Sequence, residues 1–237
     1  MICKLCRQEK ELIGRSHIIP KFLYSDLYDE KHRLIKFDAL GLSKGKEKNS
    51  SLPTSPYEKF ILCKNCDNVV ISQYEFHFSQ VYKNSNIEKS IFPEPEKINQ
   101  YEFKNLDYNK TNIFFLSLLW RAHYSTLNEF KEVKLESKIE RKLRRQILNG
   151  VYEESTVKIS AISLSQESDF NRTITQFKKL FNSYSFIMKN FIVFFHLDSD
   201  NLYNLLYNHN IKENGKWIIP EIPKKSESEF IRSYIGV

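Results

Sequence analysis

Four cysteines and one histidine carry the clearest chemistry in this chain. Two residues separate Cys3 from Cys6 and Cys63 from Cys66, and there is no other cysteine. Each C-x-x-C turn sets two thiolates on one side of a tight loop. Two such turns can surround a single tetrahedral zinc, with Zn–S bonds of about 2.3 Å. Zn²⁺ held by Cys3, Cys6, Cys63 and Cys66 would be structural, because four protein ligands leave no position open for a substrate. Disulfides are the alternative for the same residues. The two-residue spacing favours the metal, as does the lack of an apolar leader ahead of Cys3, and a reducing, cytoplasmic setting is expected.

Between the two pairs lies Ser16-His17-Ile18-Ile19-Pro20, and directly after the last cysteine come Asp67 and Asn68. Histidine titrates near neutrality, which suits it to take a proton from water. A carboxylate at the start of a helix is favoured by the positive helix end and can hold a hard cation.

The order C-x-x-C, then a histidine in an H-I-x-P strand, then L-C-x-x-C entering a helix resembles the HNH endonucleases of the ββα-metal superfamily. The likeness covers roughly residues 1 to 83. It implies a two-stranded hairpin stapled by zinc to a helix, with His17 as general base. It further implies Asp67 as a ligand of a catalytic divalent cation, Mg²⁺ or Mn²⁺, with Asn68 beside it. The residue before the histidine is Ser16, where the family has Asp or His. Three outcomes stay open there: the cation rests on Asp67, phosphate and water; another carboxylate such as Glu75 is recruited; or the site is degenerate. In the last case the chain is a zinc-containing module that binds nucleic acid or protein. Small two-part proteins of this kind serve as effectors of bacterial anti-phage defence, an analogy at the level of fold.

The elements that must position these residues follow from periodicity. A short helix after Pro20 (Phe22, Leu23, Tyr24, Leu27, Tyr28) is expected to pack on the zinc module, and Arg33–Phe37 alternates like a strand. Residues 41–55 read as a polar loop whose Lys44, Lys46 and Lys48 could touch phosphates. Asp67–Tyr82 reads as a helix with Ile71, Tyr74 and Phe78 on its core face. Glu75 reads as a surface or salt-bridging residue and His77 as a packed one. Prolines 93 and 95 mark a boundary near residue 95.

Beyond it, Ile113–Thr126 is apolar on nearly every face and should be the buried centre of a second domain, capped by Thr111 or Asn112. Arg121 within it reads as either a structural residue or a phosphate clamp. Lys134–Asn149 is an amphipathic helix ending on Asn149-Gly150 as a left-handed cap. It carries Lys138, Arg141, Lys142, Arg144 and Arg145, the densest positive charge in the chain. Strands are expected at Thr156–Leu164, at Tyr184–Leu197 (a long strand or a hairpin about Lys189-Asn190) and at Trp217–Ile222. Helices are expected at Asp169–Phe181 and Asp200–Asn208.

The expected fold class is therefore α+β: a zinc-stapled ββα-metal module over residues 1–95, then a mixed α+β domain over 96–237 around a central apolar helix. A formal net charge of +7 over 237 residues points to a polyanion partner. Nucleic acid, DNA before RNA, is the expected partner, with Arg141, Arg144 and Arg145 as its contacts. The C-terminal part could dock a protein regulator. No apolar run approaches the roughly 20 residues of a bilayer helix, so no membrane contact is expected.

Overall fold

The computed structural model describes residues 1–25, 34–36, 50–52, 56–83, 87–91, 99–165, 168, 177–180, 182–188, 190–197 and 206–235. Its first element is β1 (Ser16–His17), followed after Pro20 by the single-turn helix α1 (Lys21–Tyr24), which buries Leu23 and Tyr24. β2 (Leu34–Lys36) and β3 (Ser50–Leu52) form an antiparallel pair within the insertion. The chain then returns as β4 (Tyr57–Glu58), antiparallel to β1 with Ser16 opposite Glu58 and His17 opposite Tyr57. The hairpin that carries His17 is thus closed by strands some 40 residues apart in sequence, as their pairing shows. The lysine-rich loop at 44–48 lies outside the described residues.

Past the second cysteine pair the chain turns into a π-helical segment, Cys66–Ile71, which runs directly into α2 (Ser72–Lys83). The Ser72 N–H reaches back to the Asp67 carbonyl, five residues earlier, as a π turn requires. Ile71, Tyr74 and Phe78 are buried, in line with the expected stripe. The expected boundary near residue 95 falls outside the described residues.

β5 (Ile87–Ile91), ahead of the expected boundary, pairs antiparallel with β6 (Asn99–Phe103) beyond it, a pairing that the polar sequence did not suggest. The central helix is α3 (Tyr108–Tyr124), in which Thr111–Ala122 are all buried. It begins earlier than its apolar pattern suggests. The cap is Asp107, whose carboxylate accepts the Lys110 N–H at 2.9 Å, so Thr111 and Asn112 lie inside the helix. α4 (Ser137–Asn149) packs beside α3 and ends on Gly150 at φ 73°, the left-handed cap that Asn149-Gly150 foretells.

Four antiparallel strands follow, β7 (Lys158–Ser163), β8 (Lys178–Leu180), β9 (Ser183–Met188) and β10 (Phe191–His196), ordered β7-β10-β9-β8. β9 and β10 are the hairpin expected about Lys189-Asn190. The expected helix over 169–181 is corrected at its end: Lys178–Leu180 pair with Ser183–Ser185 instead, with Phe177 buried against Phe186 and Phe195. Extension lets that short run complete the sheet edge, and residues 169–176 lie outside the description. Of the helix expected over 200–208, a 3-10 turn at Tyr207–His209 is described. β11 (Trp217–Pro220) adds to β6 and β5 in a three-stranded sheet, and the chain ends in α5 (Lys224–Ile235), which periodicity alone had not revealed.

The fold is mixed α+β, as expected. β9 and β10 are buried on both faces: Phe186, Val193 and Phe195 join the main core, while Ile187, Ile192 and Phe194 form a second cluster. The main core is one continuous cluster, running from Cys3, Leu5 and Ile18 through Phe78, Phe114 and Trp120 to Ile219. Among the described residues no helix is long and apolar enough to cross a membrane.

Candidate metal centre

The four cysteines converge. Their sulfurs all lie within 4.8 Å of one another, and none is in a disulfide. Sulfurs around one tetrahedral zinc sit about 3.8 Å apart for bonds of about 2.3 Å, so small side-chain adjustments would seat the metal. Backbone hydrogen bonds shape the pocket. Lys4 N–H donates to the Ile61 carbonyl at 2.9 Å, tying the first turn to the approach of the second. Arg7, at φ 60°, closes the first turn by donating its N–H to the Cys3 carbonyl. The Cys63 N–H points at Cys3 Sγ at 3.3 Å.

The thiols are electrostatically at odds. Burial pushes Cys3 up, but hydrogen bonds from the backbones of Cys6, Cys63 and Leu5 outweigh it and bring its pKa down to about 7. Burial and the neighbouring cysteines push Cys66 well up. A dication among the four converging sulfurs would favour the thiolate form of each. The donor set therefore fits zinc, held by Cys3, Cys6, Cys63 and Cys66.

Asp67 is positioned by this centre, one residue past Cys66, with its N–H bonded to the Cys63 carbonyl. Its Oδ1 accepts the Ser16 hydroxyl at 2.7 Å. The position before the histidine and the position after the last cysteine thus meet, although 51 residues separate them in sequence. Ser16 is fully buried and Asp67 half-buried, while Asn68 is exposed on the next position of the π turn.

His17 is half-buried, and its Nε2 is shielded from solvent without a hydrogen-bond partner. Tyr57 meets the ring edge-on at 6.3 Å between centroids. Burial holds the imidazole below its usual range, Lys21, Arg121 and Arg15 add to the effect, and Asp67 opposes them. These surroundings favour the neutral ring. A buried nitrogen without a partner costs on the order of 1–3 kcal/mol and marks a place that a water or ligand atom completes.

Two residues outside the expected site hold this hairpin. Arg121, fully buried on α3, donates from one terminal nitrogen to the His17 carbonyl at 2.6 Å and to Glu75 Oε1 at 2.7 Å. Its Nε also donates to the Ser117 carbonyl. Arg121 is thus a fixed support beneath His17, and Glu75 is its ion-pair partner. Glu58, opposite Ser16, accepts from the Thr126 N–H at 2.6 Å and from the Ser125 hydroxyl, anchoring β4 to the end of α3. The structural role is one of the two that the charge of Arg121 inside an apolar helix suggested, whereas nothing in the sequence marked Glu58.

The expected nucleic-acid contacts separate. Arg141 and Arg145 are exposed on α4. Arg144 turns inward to Glu140 at 3.5 Å and toward the Leu5 carbonyl. Glu140 is buried and its Oε1 also receives Trp120 Nε1 at 3.1 Å, the Tyr124 hydroxyl at 3.0 Å and Arg7 at 3.3 Å. His77, expected to be packed, is half-buried with Nε2 3.2 Å from the Thr111 hydroxyl.

No protein-family model, curated protein or solved structure matches this chain.

Proposed function

We propose that the chain is a metal-dependent nuclease of HNH type, cutting phosphodiester bonds at a site made by His17 and Asp67. The observation that carries this reading is the Ser16–Asp67 hydrogen bond at 2.7 Å. It brings together the two positions from which an HNH site takes its cation ligands, beside a neutral histidine with an unpartnered nitrogen.

In this reading His17 accepts the proton of the attacking water at Nε2, and burial keeps it deprotonated and ready to do so. Arg121 fixes the backbone of His17 and so the direction of its ring. Asp67, with the Ser16 hydroxyl, offers hard oxygen donors that suit Mg²⁺ or Mn²⁺. That cation, when bound, would stabilise charge on the scissile phosphate and the leaving oxygen. With one carboxylate among its protein donors the cation is weakly held. The zinc at the four cysteines takes no part in the chemistry. A role in anti-phage defence belongs to this proposal by analogy alone.

A second reading has its own observation. Ser16 stands where the family has Asp or His, and its hydroxyl is already engaged with Asp67. A module that binds nucleic acid without cutting would look like this. The two part on one experiment: plasmid DNA and structured RNA incubated with Mg²⁺ or Mn²⁺ and either wild type or His17→Ala. Cutting by wild type that disappears in His17→Ala supports the nuclease. Cutting by neither, with binding intact in both, leaves the binding module.

A further inference from the structure

The hairpin beside the metal centre contains one residue too many. Between the pairs Leu12–Cys63 and Ser16–Glu58, one strand has three residues, 13–15, and the other has four, 59–62. This is a β-bulge, and Phe60 within it has φ 56°. The left-handed position of a bulge is glycine's by default, because a Cβ there crowds the following carbonyl. A bulky aromatic residue in it is strained. Burial does not compensate, since Phe60 is 49% exposed. The conformation is nonetheless fixed on both sides: Phe60 N–H donates to the Ile13 carbonyl at 3.1 Å, and the Ile61 carbonyl accepts from Lys4. An exposed ring on a strained, hydrogen-bonded backbone, in the hairpin that carries a candidate site, points to contact with something outside the chain.

The charge around it says what that is. Arg15 is exposed, its guanidinium 4.4 Å from the Tyr57 ring centroid, and Lys59 and Lys21 are exposed as well. Lys21 and Arg15 both act on His17. Glu58, the acid in this stretch, turns its carboxylate to Ser125 and Thr126. Glu11, also exposed, lies beyond Leu12 at the cysteine end. Phe60 stands three residues from Tyr57, the partner of His17, and its backbone bonds to Ile13, two residues from Arg15. An exposed ring with cations at neighbouring positions of the same hairpin offers a face on which an unpaired base can stack and charge that its backbone can follow.

We propose that Phe60 is a stacking platform for an unpaired base, so that the nucleic acid taken by the His17 site is single-stranded there. This rests on the nuclease reading for the site and adds its substrate class. Duplex bases hide their faces in the stack and cannot use the platform.

The test is binding by the full zinc-loaded chain, without added divalent cation so that nothing is cut. The probes are a fluorescein-labelled single-stranded DNA oligonucleotide and the same strand annealed to its complement, read by anisotropy. Phe60→Gly removes the ring and suits the backbone, so its melting temperature should equal or exceed that of wild type. It should lose on the order of tenfold affinity for the single strand and little for the duplex. Phe60→Trp should retain single-strand affinity. Wild-type affinity in Phe60→Gly, or equal loss for single strand and duplex, would overturn the proposal. Cleavage assays on the same proteins separate the two ideas. Ring-dependent binding without cutting removes the nuclease and leaves the platform, whereas cutting with ring-independent binding does the reverse.

Discussion

A guanidinium inside an apolar helix is tolerable only when its donors are used, and Arg121 uses three of its nitrogens on Glu75, the His17 carbonyl and Ser117. Removing it leaves Glu75, 27% exposed, without its cation, and the His17 carbonyl without a donor. Arg121→Ala should therefore cost about 3 kcal/mol in a denaturant melt, near the low end for a broken buried pair because Glu75 keeps some water. His17→Ala and Asp67→Asn should behave oppositely. Both should abolish cutting, with zinc content unchanged by elemental analysis and the melting temperature nearly that of wild type. High Mn²⁺ should partly restore Asp67→Asn. Loss of zinc in either variant would mean that the two sites are not separable. His17 and Asp67 were pointed to by the resemblance alone, and what the structure adds is that Ser16, the neighbour of His17, meets Asp67. Arg121 was visible as an oddity but its partners were not, since no local pattern says which carbonyl a buried guanidinium will meet.

At the level of elements, Glu58 on β4 ties the hairpin to the end of α3. Burial pushes the Glu58 carboxyl up, but the Thr126 and Lys59 N–H groups and the Ser125 and Thr126 hydroxyls outweigh it, so its pKa is lowered. A lowered carboxyl stabilises the fold fully above its unfolded value, near 4.5, and that contribution is lost as pH falls through the lower folded value. Glu58→Gln should thus melt earlier than wild type at pH 7, by about 1 kcal/mol given partial exposure, and match it in acid. A gap that persists unchanged at pH 3 would assign the stabilisation to packing. The elements themselves were read unevenly, for physical reasons. α4 and its Gly150 cap, the β9–β10 hairpin and the helix after Cys66 all advertise themselves through periodicity or turn residues. The pairing of β5 with β6 does not, because Ile87-Glu88-Lys89-Ser90-Ile91 lacks a clean alternation and takes its strand state from a partner. The start of α3 was missed because an apolar run locates a helix core, while its cap, Asp107, lies outside that run.

On the scale of the whole molecule, the metal centre and the C-terminal part share one interior. Cys3, Cys63 and Cys66 belong to the same buried cluster as Phe115, Trp120 and Trp217. Polar links reinforce it: Glu140 on α4 accepts from Arg7 of the first cysteine turn, and Arg121 on α3 donates to the His17 carbonyl and pairs with Glu75. Two parts that merely touched would unfold independently, whereas a shared core should make unfolding cooperative. Zinc binding contributes on the order of 10 kcal/mol to folds of this kind, because its site does not exist in the unfolded chain. Stripping the metal should therefore destabilise the C-terminal part as well as the cysteine turns. Trp120 and Trp217, both buried far from the cysteines in sequence, report that directly. On titration with a strong chelator, their fluorescence should red-shift at the same chelator concentration at which released zinc is detected, and thermal melts should keep one transition that moves down. Zinc release with unchanged tryptophan emission, or a second melting transition that stays in place, would show that the C-terminal part stands without the metal. The same transition should appear on replacing any one of the four cysteines by serine, since three thiolates cannot close the site.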